Sequence, residues 1–127
     1  MTRLLIVAAG GALGAVARYG VGRVLPATGW PWPTLTANVV GGVLMGLLAG
    51  WLAFRGGAQG ETIRLFAAVG LLGGFTTFSA FSLETALMIE KRQFALASGY
   101  VAASVVLSIA ALFLGLMIAR RAFGAAL

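Results

Sequence analysis

The run from Leu65 to Leu83 carries no charged residue and is long enough to cross a bilayer, yet its middle reads Gly73-Gly74-Phe75-Thr76-Thr77-Phe78-Ser79-Ala80-Phe81-Ser82. A helix that only touches lipid is filled with Leu, Ile and Val. Here two adjacent glycines, two threonines, two serines and three phenylalanines spaced by three sit where the surrounding medium is apolar. Irregular backbone at membrane depth persists only where it is buried in protein or lines a cavity. The stretch therefore needs neighbours, and the rest of the chain has to provide them.

The composition agrees with that medium. Of 127 residues, 61 % are hydrophobic and 9 % charged, against about a quarter charged in soluble domains. A chain of this length is one domain, and the class it implies is all-α integral membrane. There is no cysteine, which excludes disulfides, thiolate metal sites and a Cys nucleophile. There is no histidine either, so the commonest general base and metal ligand is missing. Paired carboxylates and phosphate loops are also absent, and enzyme chemistry is not expected. The net charge of +6 comes from basic residues that flank apolar runs, which is the ordinary membrane pattern. A lipid bilayer is the expected partner and nucleic acid is not.

Taken in order, the first uncharged run, Leu4 to Ala17, would span only about 21 Å as a helix, short of the ~30 Å hydrocarbon core. It is expected to continue through Arg18. A secretory signal is the other reading, with Ala15-Val16-Ala17 as its cleavage pattern. Trp30-Pro31-Trp32-Pro33 suits a membrane–water interface followed by a helix start. On the second helix Asn38, Gly42, Gly46 and Gly50 recur every four residues, so they share a face that lets another backbone approach closely. Thr34 lies one turn earlier on the same stripe. Arg55 to Arg64, with Gly56, Gly57 and Gly60, reads as a short flexible connection, and Glu90-Lys91-Arg92-Gln93 as a tight turn. Four transmembrane helices over about 4–24, 33–54, 62–89 and 94–119 then account for the chain, the third broken near its middle.

Arg3, Arg55, Arg64, Arg120 and Arg121 fall on one side of such a bundle, and Arg18, Arg23, Lys91 and Arg92 on the other. Five against four gives the positive-inside rule almost no asymmetry to act on. The expectation is insertion in both orientations and antiparallel pairing. The glycine and polar stripes also want more helical neighbours than one small chain provides, which again favours a homodimer.

Several residues have two readings on chemistry alone. Glu84 is the one acid inside a span, either functional or close enough to a helix end to reach water. Arg18 either snorkels to headgroups or serves an aqueous vestibule. Asn38 either bonds a neighbouring helix or offers an amide N–H to an anion. Tyr100, Ser104 and Ser108 lie at i, i+4 and i+8, as helix glue or as a polar track. Phe78 and Phe81 are core packing, or rings whose positive edges meet an anion without trapping it. Gly73-Gly74 before Thr76-Thr77 is a simple kink, or a break whose freed carbonyls suit a hard cation such as Na+.

These residues resemble the Fluc (CrcB) family of fluoride channels. The likeness rests on the early glycine-rich segment ending Ala17-Arg18-Tyr19, on Thr34-Leu35 with Asn38, and on Gly73-Gly74-Phe75-Thr76-Thr77-Phe78-Ser79 with Phe81-Ser82. Pro33 and Ala37 depart from the family's usual Gly and Val. The resemblance implies an antiparallel, dual-topology homodimer with two fluoride pores, in the cell (inner) membrane. It implies that Phe78 and Phe81 line the pores, that Asn38 contacts the anion, and that Tyr100, Ser104 and Ser108 form the polar track. Gly73 and Thr76 match the carbonyls that hold a central, structural Na+, and Arg18 matches a vestibule arginine. Thr34, Thr77, Ser79 and Glu84 are further pore candidates. The implied role is passive export of cytoplasmic fluoride. A small multidrug exporter would need a carboxylate in the first helix, which Leu4 to Ala17 does not contain. A non-conducting assembly subunit would explain the glycine stripes but not the polar track.

Overall fold

The computed structural model of the protein describes residues 1–124. Helices α1 (Thr2–Val24) and α2 (Trp32–Arg55) come first. A third span follows, Gly57–Glu90, in two halves: α3 (57–75) and α4 (Phe78–Glu90). The last helix is α5 (Phe94–Phe123). All four spans are long and apolar enough to cross a membrane, and there is no strand among the described residues. Helical geometry begins earlier in the third span than the glycines of 56–60 suggest. A 3-10 turn at Gly57–Gln59 and a short α turn at Gly60–Ile63 already pair the backbone there.

Local sequence explains the ends. Pro33 lies in the first turn of α2, where its missing N–H breaks no helical bond. At the end of α4 the chain reverses through a left-handed Arg92 (φ 59°). The Arg92 N–H donates to the Ile89 carbonyl and the Gln93 N–H to the Met88 carbonyl, both at 2.9 Å, satisfying the last carbonyls of the helix. Within α3, Arg64–Leu72 forms a widened π turn, a form enriched at functional sites.

Glycines decide which spans touch. A Cβ placed on Gly46 would strike the backbone of Leu112, Gly115 and Leu116, and one on Gly115 would strike Val43, Gly46 and Leu47. Helices α2 and α5 therefore run side by side with their backbones nearly in contact, from Gly42 against Ser108 to Gly50 against Ala119. In the same way Gly10 and Gly14 of α1 press on Phe66, Gly70, Leu71 and Phe75 of α3. Both pairs run in the same direction. The glycine stripes are thus matched inside one chain, and the expectation that they need a second copy is corrected. What remains unpartnered is the outer apolar surface, including Leu4, Leu13, Val106 and Phe113, which suits lipid.

A buried cluster of Leu35, Phe81, Met88, Ala97 and Tyr100, with Trp30 and Val39 against it, ties α2, α4 and α5 together just past the break. A Gly46→Val variant is expected to lose monodisperse protein on size exclusion. Overpacking costs about 1–3 kcal/mol where side chains can yield, and here the obstruction is backbone. Gly20→Val, with nothing within 4 Å of the added carbon, is expected to elute as the unaltered protein does.

Candidate ion pathway

The third span breaks at two residues. Thr76 (φ −85°, ψ 155°) and Thr77 (φ −151°, ψ 123°) are extended between α3 and α4. The Thr76 hydroxyl folds back and donates to the Leu72 carbonyl at 2.9 Å. The Thr77 hydroxyl caps α4, accepting from the Ala80 N–H at 3.2 Å. Asn38 reaches across from α2 and binds Thr77 like a strand neighbour. Its Oδ1 accepts the Thr77 N–H at 2.8 Å and its Nδ2 donates to the Thr77 carbonyl at 3.0 Å. Because one partner can only donate and the other only accept, the orientation of the amide is fixed by chemistry. Its second N–H stays uncommitted among the described residues.

Beside the break, α2, α4 and α5 border an open cavity of about 420 Å³ lined by Asn38, Thr76, Thr77, Phe78, Phe81, Ser104 and Ser108, with Gly41, Gly42 and Met45 among the other lining residues. Phe81 is 9 % exposed and Phe78 is 78 % exposed, so one ring belongs to the bundle and the other projects from it. Their centroids are 5.5 Å apart with planes tilted by 57°. Ser104 is 6 % exposed and its hydroxyl makes no well-formed hydrogen bond among the described residues. Buried hydroxyls are normally satisfied within the fold, which sets this one apart from the other polar groups beside the cavity.

One turn beyond Phe81, Glu84 accepts from the Thr34 hydroxyl at 2.7 Å and from the Tyr100 hydroxyl at 2.9 Å, one on each carboxyl oxygen. The fully buried Tyr100 ring lies 5.3 Å from Phe81 and 6.2 Å from Trp30. Glu84 also lines a second cavity of about 180 Å³ with Trp30, Lys91 and Gln93. Polar side chains thus extend from the break to the end of the bundle.

The sequence candidates divide accordingly. Asn38, Thr76, Thr77, Phe78, Phe81, Ser104 and Ser108 share one cavity. Thr34, Glu84 and Tyr100 form the adjoining hydroxyl–carboxylate cluster. Ser79 is exposed and lies 3.3 Å from the Thr77 hydroxyl, outside the lining. Gly73 is exposed at the end of α3. Arg18 comes to the break by another route, its Nε donating to the Gly74 carbonyl at 3.4 Å, where a cation suits the C-terminal end of α3. It does not line the cavity. Gly41 and Trp30 were missed as site residues. Gly41 is where the Thr76 methyl packs against α2, and it stands one residue off the four-residue stripe that drew attention. Trp30 reads as an interfacial anchor but turns inward against Tyr100, with its indole N–H buried and without a partner among the described residues. Trp32 is the exposed one, donating to the Thr28 carbonyl at 3.1 Å.

Ser104→Ala is expected to leave the thermal midpoint unchanged or slightly raised, because it removes a buried hydroxyl that makes no well-formed hydrogen bond among the described residues. Thr34→Val is expected to lower it, since it strips a donor from Glu84 at a cost of about 1–3 kcal/mol. Thermal denaturation followed by circular dichroism compares the two.

The family model for "CrcB-like protein, Camphor Resistance (CrcB)" matches residues 5–116. A protein of Caulobacter sp. (strain K31) described as fluoride-specific ion channel FluC is 64 % identical over 126 residues, covering 97 % of this chain and 98 % of that protein. Proteins of the same description from Caulobacter vibrioides (strain NA1000 / CB15N) and Phenylobacterium zucineum (strain HLK1) are 62 % and 61 % identical, each over 97 % of this chain and 99 % of the relative.

Proposed function

The chain belongs to the CrcB-like family, and from that premise we infer that it is a fluoride-specific ion channel, a multi-pass protein of the inner membrane. The observation that carries the reading is the cavity at the break. It gathers an amide N–H, a serine hydroxyl with no well-formed hydrogen bond among the described residues, and two tilted phenyl rings in an otherwise apolar bundle. Fluoride is small and strongly hydrated, so a pore must replace its water with hydrogen-bond donors. A pore must also release the ion, and amide, hydroxyl and ring-edge contacts bind it without the deep trap of a full positive charge. The reading needs no covalent step, and the protein is a channel rather than an enzyme.

Transport follows from the ion's acid chemistry. Neutral HF crosses a bilayer and dissociates inside, leaving fluoride behind. An inside-negative potential drives an anion outward by ~2.3 kcal/mol per 100 mV, so a passive pore suffices. In this account Phe78 and Phe81 line the pore, Asn38 donates to the ion, and Ser108, Ser104 and Tyr100 lead it along α5 toward Thr34 and Glu84. Thr77 shapes the wall beside Phe78, Ser79 stands just outside that wall against the Thr77 hydroxyl, and Arg18 raises the local anion concentration from its place near the break.

The assembly is an antiparallel homodimer with two pores. The 78 % exposure of Phe78 supports it, because a ring projecting at mid-membrane depth gains a wall from a second copy. The break also fits a structural Na+, held by the carbonyls of Gly73 and Thr76. Carbonyl oxygens are hard donors suited to that ion. Two from one chain are too few for a shell, and a twofold axis doubles them. When bound, the ion would supply charge that draws the two broken spans together.

Liposomes that hold the purified protein are expected to release fluoride and retain chloride. Phe78→Ile and Phe81→Ile are each expected to cut efflux by about tenfold or more, equivalent to ~1.4 kcal/mol or more on the conducting path, with the size-exclusion profile kept. Unchanged efflux in both would remove the rings from the pore. Cysteines placed at either terminus are expected to label from both sides of intact cells, and labelling confined to one side would overturn dual topology.

A further inference from the structure

We propose that Asn38 is a positioning residue for the cation site, acting through the backbone of the break. The inference rests on the Na+ reading given above. In an unbroken helix the carbonyl of residue i receives the N–H of residue i+4. The helical donor for Gly73 is therefore the Thr77 N–H, and for Thr76 it is the Ala80 N–H. Both are engaged elsewhere. The Thr77 N–H is held by Asn38 Oδ1 at 2.8 Å, and the Ala80 N–H by the Thr77 hydroxyl at 3.2 Å.

The neighbouring carbonyls are treated differently. Leu72 keeps its helical donor, the Thr76 N–H at 3.0 Å, and gains the Thr76 hydroxyl at 2.9 Å. Gly74 receives Arg18 Nε at 3.4 Å, and Thr77 receives Asn38 Nδ2 at 3.0 Å. The side chains around the break thus treat these carbonyls differently, while the Phe75 carbonyl between them is given no side-chain donor among the described residues. Leu72, Gly74 and Thr77 are given donors, while Gly73 and Thr76 have their helical donors drawn away.

Asn38 has the larger share of this work. Backbone groups without partners are costly in lipid, so a Thr77 N–H released from Asn38 has every reason to return to Gly73 and close the ladder. The carboxamide prevents that by matching both the donor and the acceptor of Thr77. It is held rigidly, because the glycine face that follows it on α2 is locked against α5. The same side chain lines the ion cavity. One residue therefore ties the backbone that would receive the cation to the wall that would receive the anion.

The test uses the full-length protein purified as its dimer in detergent, with Na+ titrated against N-methyl-D-glucamine at constant ionic strength. The readout is the Na+ concentration at half-maximal thermal stabilisation, since an ion that binds only the folded state raises stability by mass action. The unaltered protein is expected to show a saturable rise. Asn38→Ala is expected to move the Na+ midpoint upward by about tenfold or more, whatever its stability without Na+. Asn38→Asp keeps the oxygen that holds the Thr77 N–H, and its midpoint is expected to stay equal or fall. Thr77→Val, which removes the acceptor for Ala80, is expected to shift the midpoint upward, and Thr77→Ser to restore it. This second pair carries the test if Asn38→Ala does not fold. A lower melting temperature with an unchanged Na+ midpoint in both Asn38→Ala and Thr77→Val would make these side chains ordinary structural contacts and overturn the proposal. Absence of any Na+ response in the unaltered protein would instead overturn the cation site on which the proposal stands.

Discussion

The reciprocal pair between the Asn38 carboxamide and the Thr77 backbone makes an interruption of the third span possible. In water, an opened helix turn is satisfied by solvent. In a hydrocarbon medium it must be satisfied by protein, or the helix closes again. A carboxamide is the side chain suited to this task, since it reproduces the donor and acceptor of a peptide unit. With that pair in place, α4 starts afresh from its Thr77 cap, Phe78 leaves the bundle, and Phe81 enters it against Tyr100.

Glycine packing holds the pair in register. Contact between α2 and α5 at close range brings Ser104 and Ser108 alongside Asn38, because only backbone at Gly46 and alanine methyls at Ala111 and Ala119 stand between the two helices from Gly42 to Gly50. The corresponding contact of α1 with α3 delivers the end of α3 to the break and brings Arg18 to the Gly74 carbonyl. The polar groups are few, and a stiff glycine-packed frame places them.

Much of this was legible in the sequence. Uncharged runs give the spans, and two glycines followed by two threonines mark the break, because both signals are local. The four-residue spacing of Gly42, Gly46 and Gly50 announces a close neighbour but cannot say which helix provides it. That ambiguity is why a second copy looked necessary when α5 was already there. The Asn38–Thr77 pair joins residues far apart in the chain, so no local pattern reveals it, and an asparagine for which a bond to a neighbouring helix and an anion contact are both open spends half its capacity on backbone. The widened turn at Arg64–Leu72 has no proline to betray it, and its one charge, Arg64, sits at its first residue. Trp30 misled because an indole next to prolines suits an interface as well as a core, and only the position of Tyr100 decides between them.

The pairing of α1 with α3 and of α2 with α5 also bears on biogenesis. Spans leave a ribosome in chain order, and none of these glycine faces meets its match in the span that follows. The face on α1 waits until α3 is made, and the one on α2 waits for the last span. Loop closure between such distant partners is slow relative to neighbour pairing. A nascent chain stopped after α4 would therefore hold a half-assembled bundle with the α2 glycines open. The α2 glycine face is covered only when the last span arrives.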